Sequence, residues 1–544
     1  MKKTLALFIA LCIVITTFGA CGVFGQNLAP NLPQAVETPS IGETPRDAYI
    51  PRDGRLRIAY QPNDSFNPFT ASSRDNLAVI GLMYESLFLL GEDFTAINEL
   101  AVGITTLDGR NFTIEIAAGI VFHDGTALTV HDVIYSLNRA RESDLYQSRL
   151  RIIDSHRLVQ TIEGETNPYV FEIELNRVHG NLPVLLTFPI IQAGTSNRRI
   201  PPGTGPFSYL EEEGFARLVA HAYHPRFTEL PIDTIYLGHM YTVDQMTAYF
   251  NSGHLDIVYI DLQGPEPHFA ATREMRQFHT SMFDFVGFNI HRPYTGRIEV
   301  RTAIQFAIDR EYIANSILRG TVIATPLPMH PALSFYDMEL SLAHRFDLEH
   351  ARAILHGEAD AYETYPHDAE DINEAEYEEE NAETEPASQT PQLRLIVAQG
   401  NVARIEAAVY IAANIAALGF QVIVDDLPPN EFLAALESGD FDLFYGQVRL
   451  QPDFDLWELL GGSLSFGGMG LLINPLFIEN FIASGQSGRQ QAATNLNAAI
   501  LQVAPFVSIG FRHEYVFTQR GVVSNLNPTQ ERVYRDVFDW ILDL

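Results

Sequence analysis

Histidine and acidic residues that could act in catalysis occur in this sequence, but not at the spacings that such chemistry requires. His123-Asp124 is followed by Gly125, a combination more typical of a turn than of an acid–base site. His513-Glu514 lacks a second histidine at the spacing of a zinc-binding helix, and no G-x-S-x-G elbow for a nucleophile is present. The sequence therefore contains no recognisable catalytic motif, and we expect no catalytic residue, no metal site and no cofactor.

The elements that would position a binding site are clearest in the C-terminal half, where strands and helices alternate. Apolar periodicity predicts strands over 393–397, 421–424 and 441–445 and a helix over 402–418, and Asn430 is expected to cap a further helix. This β-α-β-α-β order predicts a mostly parallel sheet. Ligands of such sheets bind beyond the carboxyl ends of the strands, which points to 399–401 and 446–449.

The N-terminal part of the body shows the same mixture of elements. Alternation predicts strands at Leu56–Tyr60 and at Phe112–Ile116. Thr129, with Asp132 three residues later, forms a capping box that should begin a helix. Together with the C-terminal half, these elements predict an α/β protein of two or three domains.

The first residues have the pattern of an export signal. Two lysines precede an apolar run over 5–18, which is too short to cross a bilayer, and Gly19-Ala20 stand before Cys21. The pattern predicts a signal peptide over 1–20 and acylation of Cys21, followed by a flexible tether over 21–54. Cys12 lies in the removed segment, so the mature chain is expected to form no internal disulfide.

The charge of the chain excludes one class of partner. Its formal net charge is −33, from 35 basic and 68 acidic residues, and nucleic acid would require a basic face. Thirteen of the acidic residues lie between 358 and 385, where Lys and Arg are absent. We expect this acidic insertion, over 357–392, to be a disordered or solvated loop.

Several segments resemble the extracellular solute-binding proteins of family 5, which include oligopeptide, dipeptide and nickel-chelate binding lipoproteins of ABC importers. The strongest match is the segment over 119–136, which reads GIVFHDGTALTVHDVIYS. Weaker matches follow in the order of the family: Asn67-Pro68, YESL at 84–87, GTGPF at 203–207, SGHLDI at 252–257 and VRTAIQFAIDR at 300–310.

The resemblance implies an α/β, two-lobed periplasmic-binding-protein-like fold of type II, in its large class with an extra domain inserted in lobe one. Lobe one would comprise 55–80, 195–295 and 509–544, the inserted subdomain 81–194, and lobe two 296–508. Hinge strands would pass near 285–289 and 505–511. As implied by the family, the protein would be a monomeric lipoprotein on the outer face of the bacterial cell membrane that delivers a peptide-like solute to ABC importer permease subunits.

The family also suggests where a ligand would lie. Peptide ligands would add as a strand to Gly446, Gln447 and Val448, with Ala71 and Ser72 on the other lobe. Tyr445 and Trp457 could form pocket walls or pack in the core. Asp453 and Asp455 could receive a cationic group or cap the next helix. The candidate ligand-binding residues are therefore Ala71, Ser72, Tyr445, Gly446, Gln447, Val448, Arg449, Asp453 and Trp457.

One position departs from the peptide binders of the family, whose second-lobe strand typically ends in an Asp that receives the ligand's ammonium group. Leu450 matches that position and follows Arg449. We therefore expect recognition of an N-terminal ammonium to be weak, and Arg449 to bind a ligand carboxylate or to pair with Asp453. A slip of the alignment toward 451–455 would restore an acid. A metal-chelate binder and a peptide-signal receptor remain alternatives with the same fold.

Overall fold

The computed structural model describes residues 54–160, 166–260, 262, 269, 273–359, 390–462 and 464–544. The predicted signal peptide, the acylated Cys21 and almost all of the predicted tether fall outside the described residues, as do residues 360–389 of the predicted acidic insertion.

The chain forms nineteen strands within the described residues. They are β1 (Leu56–Tyr60), β2 (Phe88–Leu90), β3 (Ala96–Asn98), β4 (Ala101–Thr106), β5 (Asn111–Ile116), β6 (Ile153–Gln160), β7 (Thr166–Leu175), β8 (Phe207–Glu212), β9 (Phe215–Ala220), β10 (Thr234–His239), β11 (Ile257–Ile260), β12 (Arg273–Phe288), β13 (Val322–Ala324), β14 (Gln392–Ala398), β15 (Gln421–Leu427), β16 (Leu443–Arg449), β17 (Phe506–Gln519), β18 (Val523–Ser524) and β19 (Ile541–Leu542).

Helices alternate with these strands. They span Arg74–Met83, Val130–Ala140, Gln147–Leu150, Val243–Asn251, Ile298–Ala307, Arg310–Tyr312, Met338–Ala343, Leu348–Leu355, Val402–Ala416, Pro429–Ser438, Trp457–Leu460, Pro475–Ala483 and Arg489–Val503. Shorter helical turns lie at Leu182–Leu185, Phe227–Glu229, Ile313–Ile317, Phe466–Leu472 and Val537–Asp539. Thr129 begins the Val130–Ala140 helix as predicted, with its amide bonded to the Asp132 carboxylate at 2.9 Å.

Eleven strands form one mixed sheet that runs through both lobes. Its order is β15-β14-β16-β12-β17-β11-β1-β10-β9-β8, with β13 paired to β17. β14 is parallel to both β15 and β16, which confirms the parallel β-α-β-α-β unit predicted from the sequence. The prediction for Asn430 was wrong: the helix Pro429–Ser438 begins at a proline, and Asn430 is its second residue, after the capping position.

The two longest strands, β12 and β17, pair with strands of both predicted lobes. β12 has sixteen residues and pairs with β16 through its second half, whereas β17 pairs with β11 through its own second half. β12 and β17 are antiparallel to each other, and their register shifts between His279 and Phe283. Such a bulge bends the ladder locally. The predicted hinge segments therefore lie at the lobe-two end of two strands that are much longer than the sequence indicated.

A second, four-stranded sheet of order β4-β5-β7-β6 forms the middle of the predicted inserted subdomain. Its apolar side chains belong to a core that continues into the predicted lobe two, reaching Phe454 and Phe481. Lobe one has its own core around β1, the Arg74–Met83 helix and the C-terminal segment. The inserted subdomain thus packs closely on lobe two, although the chain enters and leaves it from lobe one. The residue boundaries given above remain predictions.

Across the part of the chain that the structure describes, no single helix has the length and hydropathy to cross a membrane. Phe466–Leu472 and Pro475–Ala483 meet that criterion only as a pair, across a bend of 72°.

Candidate functional site

Strand β16 extends beyond β14, the strand that pairs with it on one side. All seven of its residues pair with β12, but only Leu443 and Phe444 pair with β14 on the other side. In the described residues, no strand pairs with the β14-side edge of Tyr445–Arg449. At about 3.3 Å per residue, this edge offers roughly 16 Å of main chain for pairing with an added strand.

Gly446 lies in the middle of this edge and must be a glycine for steric reasons. A Cβ atom there would lie 2.4 Å from the ring carbon Cζ of Phe285, its partner on β12. The Phe285 ring is itself held among Phe283, Phe444 and Phe506. The aromatic core thus fixes the strand at the position where a ligand backbone is expected.

The side chains of Tyr445 and Gln447 are fixed by a buried carboxylate that the sequence analysis missed. Asp284 on β12 accepts from the Tyr445 hydroxyl at 3.0 Å and from the Gln447 amide at 2.7 Å. Arg512 on β17 donates to the same carboxylate at 2.6 and 3.1 Å. Gln447 also accepts from Arg404 at 2.8 Å. Tyr445 is thus a core side chain, and the amide group of Gln447 is occupied by Asp284 and Arg404.

Arg449 ends the strand with a guanidinium group that is 46% exposed. It donates to Glu514 on β17 at 3.5 Å and to Gln530 of the C-terminal segment at 3.3 Å. The predicted alternative pairing of Arg449 with Asp453 was wrong, because Asp453 is buried against a different partner. Glu514, which is 7% exposed on its side chain, also accepts from the Tyr259 hydroxyl.

Leu450 is buried in the core, and its amide donates to the Ser281 carbonyl at 2.9 Å. Its side chain therefore brings no charge to the end of β16. Weak recognition of a ligand's ammonium group stays a prediction.

Asp453 and Asp455 hold lobe two to the inserted subdomain. His179 contacts Asp453 at 2.9 Å with both side chains buried, and Arg177 contacts Asp455 at 2.7 Å. Burial would raise the pKa of Asp453, but the hydrogen bond and charge of His179 hold that pKa below its ordinary value. Asp455 also accepts at 2.8 Å from the amide of Trp457, the first residue of the next helix, which is the capping alternative.

The remaining predicted residues lie on both lobes. Ala71 is buried in the lobe-one core, and Ser72 is exposed with its amide bonded to Asp64 at 3.0 Å. Trp457 is partly buried against the core of lobe two and starts a short helix. The structure thus places Ala71 and Ser72 in lobe one and β16 in lobe two, and contact of these residues with a ligand stays a prediction.

An aromatic cluster lies where β12, β17, lobe two and the inserted subdomain meet. The His330 ring lies 4.6 Å from His279, 5.0 Å from Phe94 and 5.1 Å from Phe511, between ring centroids. The His330 Nδ1 atom accepts from the Ala332 amide at 3.0 Å, so its proton is on Nε2, which is buried without a partner. Burial lowers the pKa of His330 to about 2.

This burial predicts an acid-sensitive fold. Burial also lowers the pKa values of His123 and His513 to about 4, so the folded state keeps these histidines neutral at pH values where the unfolded chain protonates them. Their stabilisation is complete above about pH 6.5 and is lost as the pH falls toward 4, by roughly 2 kcal/mol per histidine at pH 5. Glu99 opposes this loss, because burial raises its pKa to about 7.

Urea denaturation at pH 7, 6 and 5 measures the effect. We expect His330→Phe, which keeps a ring in the aromatic cluster, to lose less stability between pH 7 and 5 than the wild type. Equal losses in both proteins would show that His330 does not contribute to the pH dependence.

No group of three histidine, cysteine or acidic side chains close enough to hold a metal ion is found in the described ranges. The residues that sequence reasoning missed, Asp284, Glu514 and Gln530, lie far along the chain from β16. In the sequence, Glu514 drew attention only beside His513, in a segment that lacks the second histidine of a zinc-binding helix. Nothing in the local sequence indicated its neighbours.

Comparison with known proteins identifies the family of the chain. The family model of bacterial extracellular solute-binding proteins, family 5 (middle), matches residues 96–463. The oligopeptide-binding protein AppA of Bacillus subtilis (strain 168) is 23% identical over 297 residues, which cover 51% of this chain and 54% of AppA. The chain thus aligns with about half the length of this curated relative.

Two solved structures share the fold over nearly their whole length. The ABC transporter substrate-binding protein CtaP of Listeria monocytogenes has a TM-score of 0.70 at 15% identity, over 90% of this chain and 99% of CtaP. A nickel ABC transporter protein of Bacillus halodurans has a TM-score of 0.68 at 17% identity, over 89% of this chain and 99% of that protein. The two-lobed α/β fold predicted from the sequence is therefore confirmed. The chain belongs to the bacterial extracellular solute-binding proteins of family 5, a family of binding proteins and not of enzymes.

Proposed function

We propose that this protein captures a peptide-like solute between its two lobes and delivers it to the permease subunits of an ABC importer. The observation that carries the proposal is the open edge of Tyr445–Arg449 on β16. A peptide that adds there as a strand gains main-chain hydrogen bonds whatever its side chains are, which suits a carrier of varied peptides.

The arrangement of the lobes supports capture by closure. β12 and β17 are the long strands that join them, and the bulge after His279 is a place where the ladder can bend. A solute that contacts both lobes binds the closed state more tightly than the open state. This difference in affinity determines how far binding shifts the protein toward the closed state. Permease subunits that recognise the closed state would then receive only loaded protein.

The proposal predicts that a true ligand stabilises the protein and is recovered unchanged. At a hundredfold excess over Kd, binding should add about 2.7 kcal/mol to the free energy of unfolding. Thermal shift with a peptide mixture, nickel chelates and sugars as separate probes measures this, followed by mass spectrometry of the recovered compound. Stabilisation by a nickel chelate alone would favour the metal-chelate alternative, and a chemically altered compound would contradict a binding role.

We also propose that the protein is a monomeric lipoprotein, anchored on the outer face of the cell membrane through Cys21. The support is the apolar run followed by Gly19-Ala20-Cys21. Several acyl chains would make such an anchor durable, since a single chain gives only marginal binding.

The anchor is tested with Cys21→Ala in the expressing bacterium. We expect the variant to leave the membrane fraction, because it has no thiol to acylate. Cys12→Ala is the matched control, since it changes the other cysteine inside the predicted signal peptide and should stay membrane-bound when processed. Membrane association of Cys21→Ala after a salt wash would rule out this anchor.

A further inference from the structure

The guanidinium group of Arg449, at the end of the open edge, is held more loosely than the side chains next to it. Both contacts of Arg449 are long, at 3.3 Å to Gln530 and 3.5 Å to Glu514. A guanidinium paired with a well-placed carboxylate forms two bonds of about 2.7–2.9 Å. Almost half of the Arg449 side chain is exposed. Its donors are therefore available for a better partner.

The two present partners of Arg449 keep stronger contacts of their own. Gln530 accepts from the Ser281 amide at 2.8 Å and from the Ser281 hydroxyl at 3.2 Å through the same oxygen. Glu514 accepts from the Tyr259 hydroxyl through its second oxygen. Each partner therefore keeps a hydrogen bond of its own when Arg449 turns away, although Glu514 then loses the cation beside its first oxygen.

The surroundings carry both signs of charge. The Arg74 guanidinium lies 5.3 Å from the Tyr259 ring, on the side of lobe one, and Glu514 lies on the hinge strand β17. Glu514 repels an incoming anion and so weakens its binding, whereas Arg449 and Arg74 attract it. A planar anion that bonds in a bidentate way with Arg449 gains more than a point charge would.

From these contacts we infer that the solute carries a carboxylate group, and that Arg449 binds it at the end of the strand that the solute adds to β16. This inference rests on the proposed function. It makes Arg449 the residue that selects ligands by charge, while the main chain of Tyr445–Val448 binds peptides irrespective of sequence.

The probe is a casein digest of short peptides, split into two halves, one of which is methyl-esterified so that every carboxylate is neutral. Purified protein is incubated with an equal mixture of the two halves, and the retained peptides are counted by mass spectrometry. We expect the wild type to retain the free acids at least tenfold over the esters. Arg449→Gln should still retain peptides but lose that preference, and Arg449→Lys should keep part of it.

Arg345→Gln is the matched control, since Arg345 is an exposed arginine whose Nε donates to the nearby Leu342 carbonyl. It should behave as the wild type. Equal retention of acids and esters by the wild type would overturn the inference and leave the proposed function standing. A preference that survives Arg449→Gln would overturn the role of Arg449. Retention of neither half would overturn the proposed function and the inference together.

Discussion

Replacing Asp284 with Ala is expected to destabilise the protein by about 3–5 kcal/mol, the usual result of breaking a buried ion pair from one side. The Asp284 carboxylate is fully buried and accepts four hydrogen bonds, two from Arg512 and one each from Tyr445 and Gln447. Without it, the Arg512 guanidinium stays buried and loses its two hydrogen bonds to this carboxylate, at 2.6 and 3.1 Å. Urea denaturation at pH 7 measures the loss.

Asp440→Ala is the matched control. Asp440 contacts Arg394 at 2.6 Å and Arg292 at 3.2 Å, but its side chain is 66% exposed. Its loss should cost less than about 1 kcal/mol, because water screens exposed pairs. A second variant, Asp284→Leu with Arg512→Met, should recover part of the stability by removing both charges. A loss below about 1 kcal/mol for Asp284→Ala would show that the three strands do not depend on this carboxylate.

Replacing Gly180 with Ala is expected to weaken ligand binding at least tenfold, or about 1.4 kcal/mol, while the lobes remain folded. Its amide donates to the Ile482 carbonyl at 2.8 Å across the contact between the inserted subdomain and lobe two. A Cβ atom would lie 1.8 Å from the Ser484 carbonyl oxygen, so the two main chains must separate. This separation would displace the nearby His179–Asp453 contact and favour the open state.

Calorimetry with a peptide that the wild type retains measures the affinity, and small-angle X-ray scattering measures the radius of gyration, which should increase. Gly485→Ala is the control from the facing segment, where an added Cβ meets nothing within 4 Å. Unchanged affinity and an unchanged radius for Gly180→Ala would mean that closure does not need this contact.

Local pattern was enough to predict most of the elements near the site. Strands β14, β15 and β16 were expected from short apolar runs. The structure extends β14 by two residues and β15 by three, and it shifts β16 from 441–445 to Leu443–Arg449. The helix Val402–Ala416 ends within two residues of its predicted end, just before Gly419 with its positive φ of 97°. These features depend on residues that are close together in the sequence. The spacing of apolar side chains therefore indicates them directly.

The partners of the charged residues could not be predicted in this way. Asp453 is 274 residues from His179, and Arg449 is 65 residues from Glu514. The local sequence around an acidic residue does not show whether its carboxylate binds a ligand, caps a helix or pairs with an arginine of another strand. The sequence therefore offered Asp453 both as a ligand-binding and as a capping residue, and the structure shows it buried against His179.

The sequence by itself determined the family, the α/β two-lobed fold, the absence of enzyme motifs and the strand on which a ligand is expected. These conclusions follow from the motifs that carry the family resemblance and from the periodicity of apolar residues, which are both local features of the sequence. The tertiary structure alone decided that β16 has an open edge, that Asp284 fixes its side chains, and that Arg449 ends it with loosely held donors. Those properties depend on which strands become neighbours and how far each runs past the next. Long-range pairing sets both, and no local pattern encodes it.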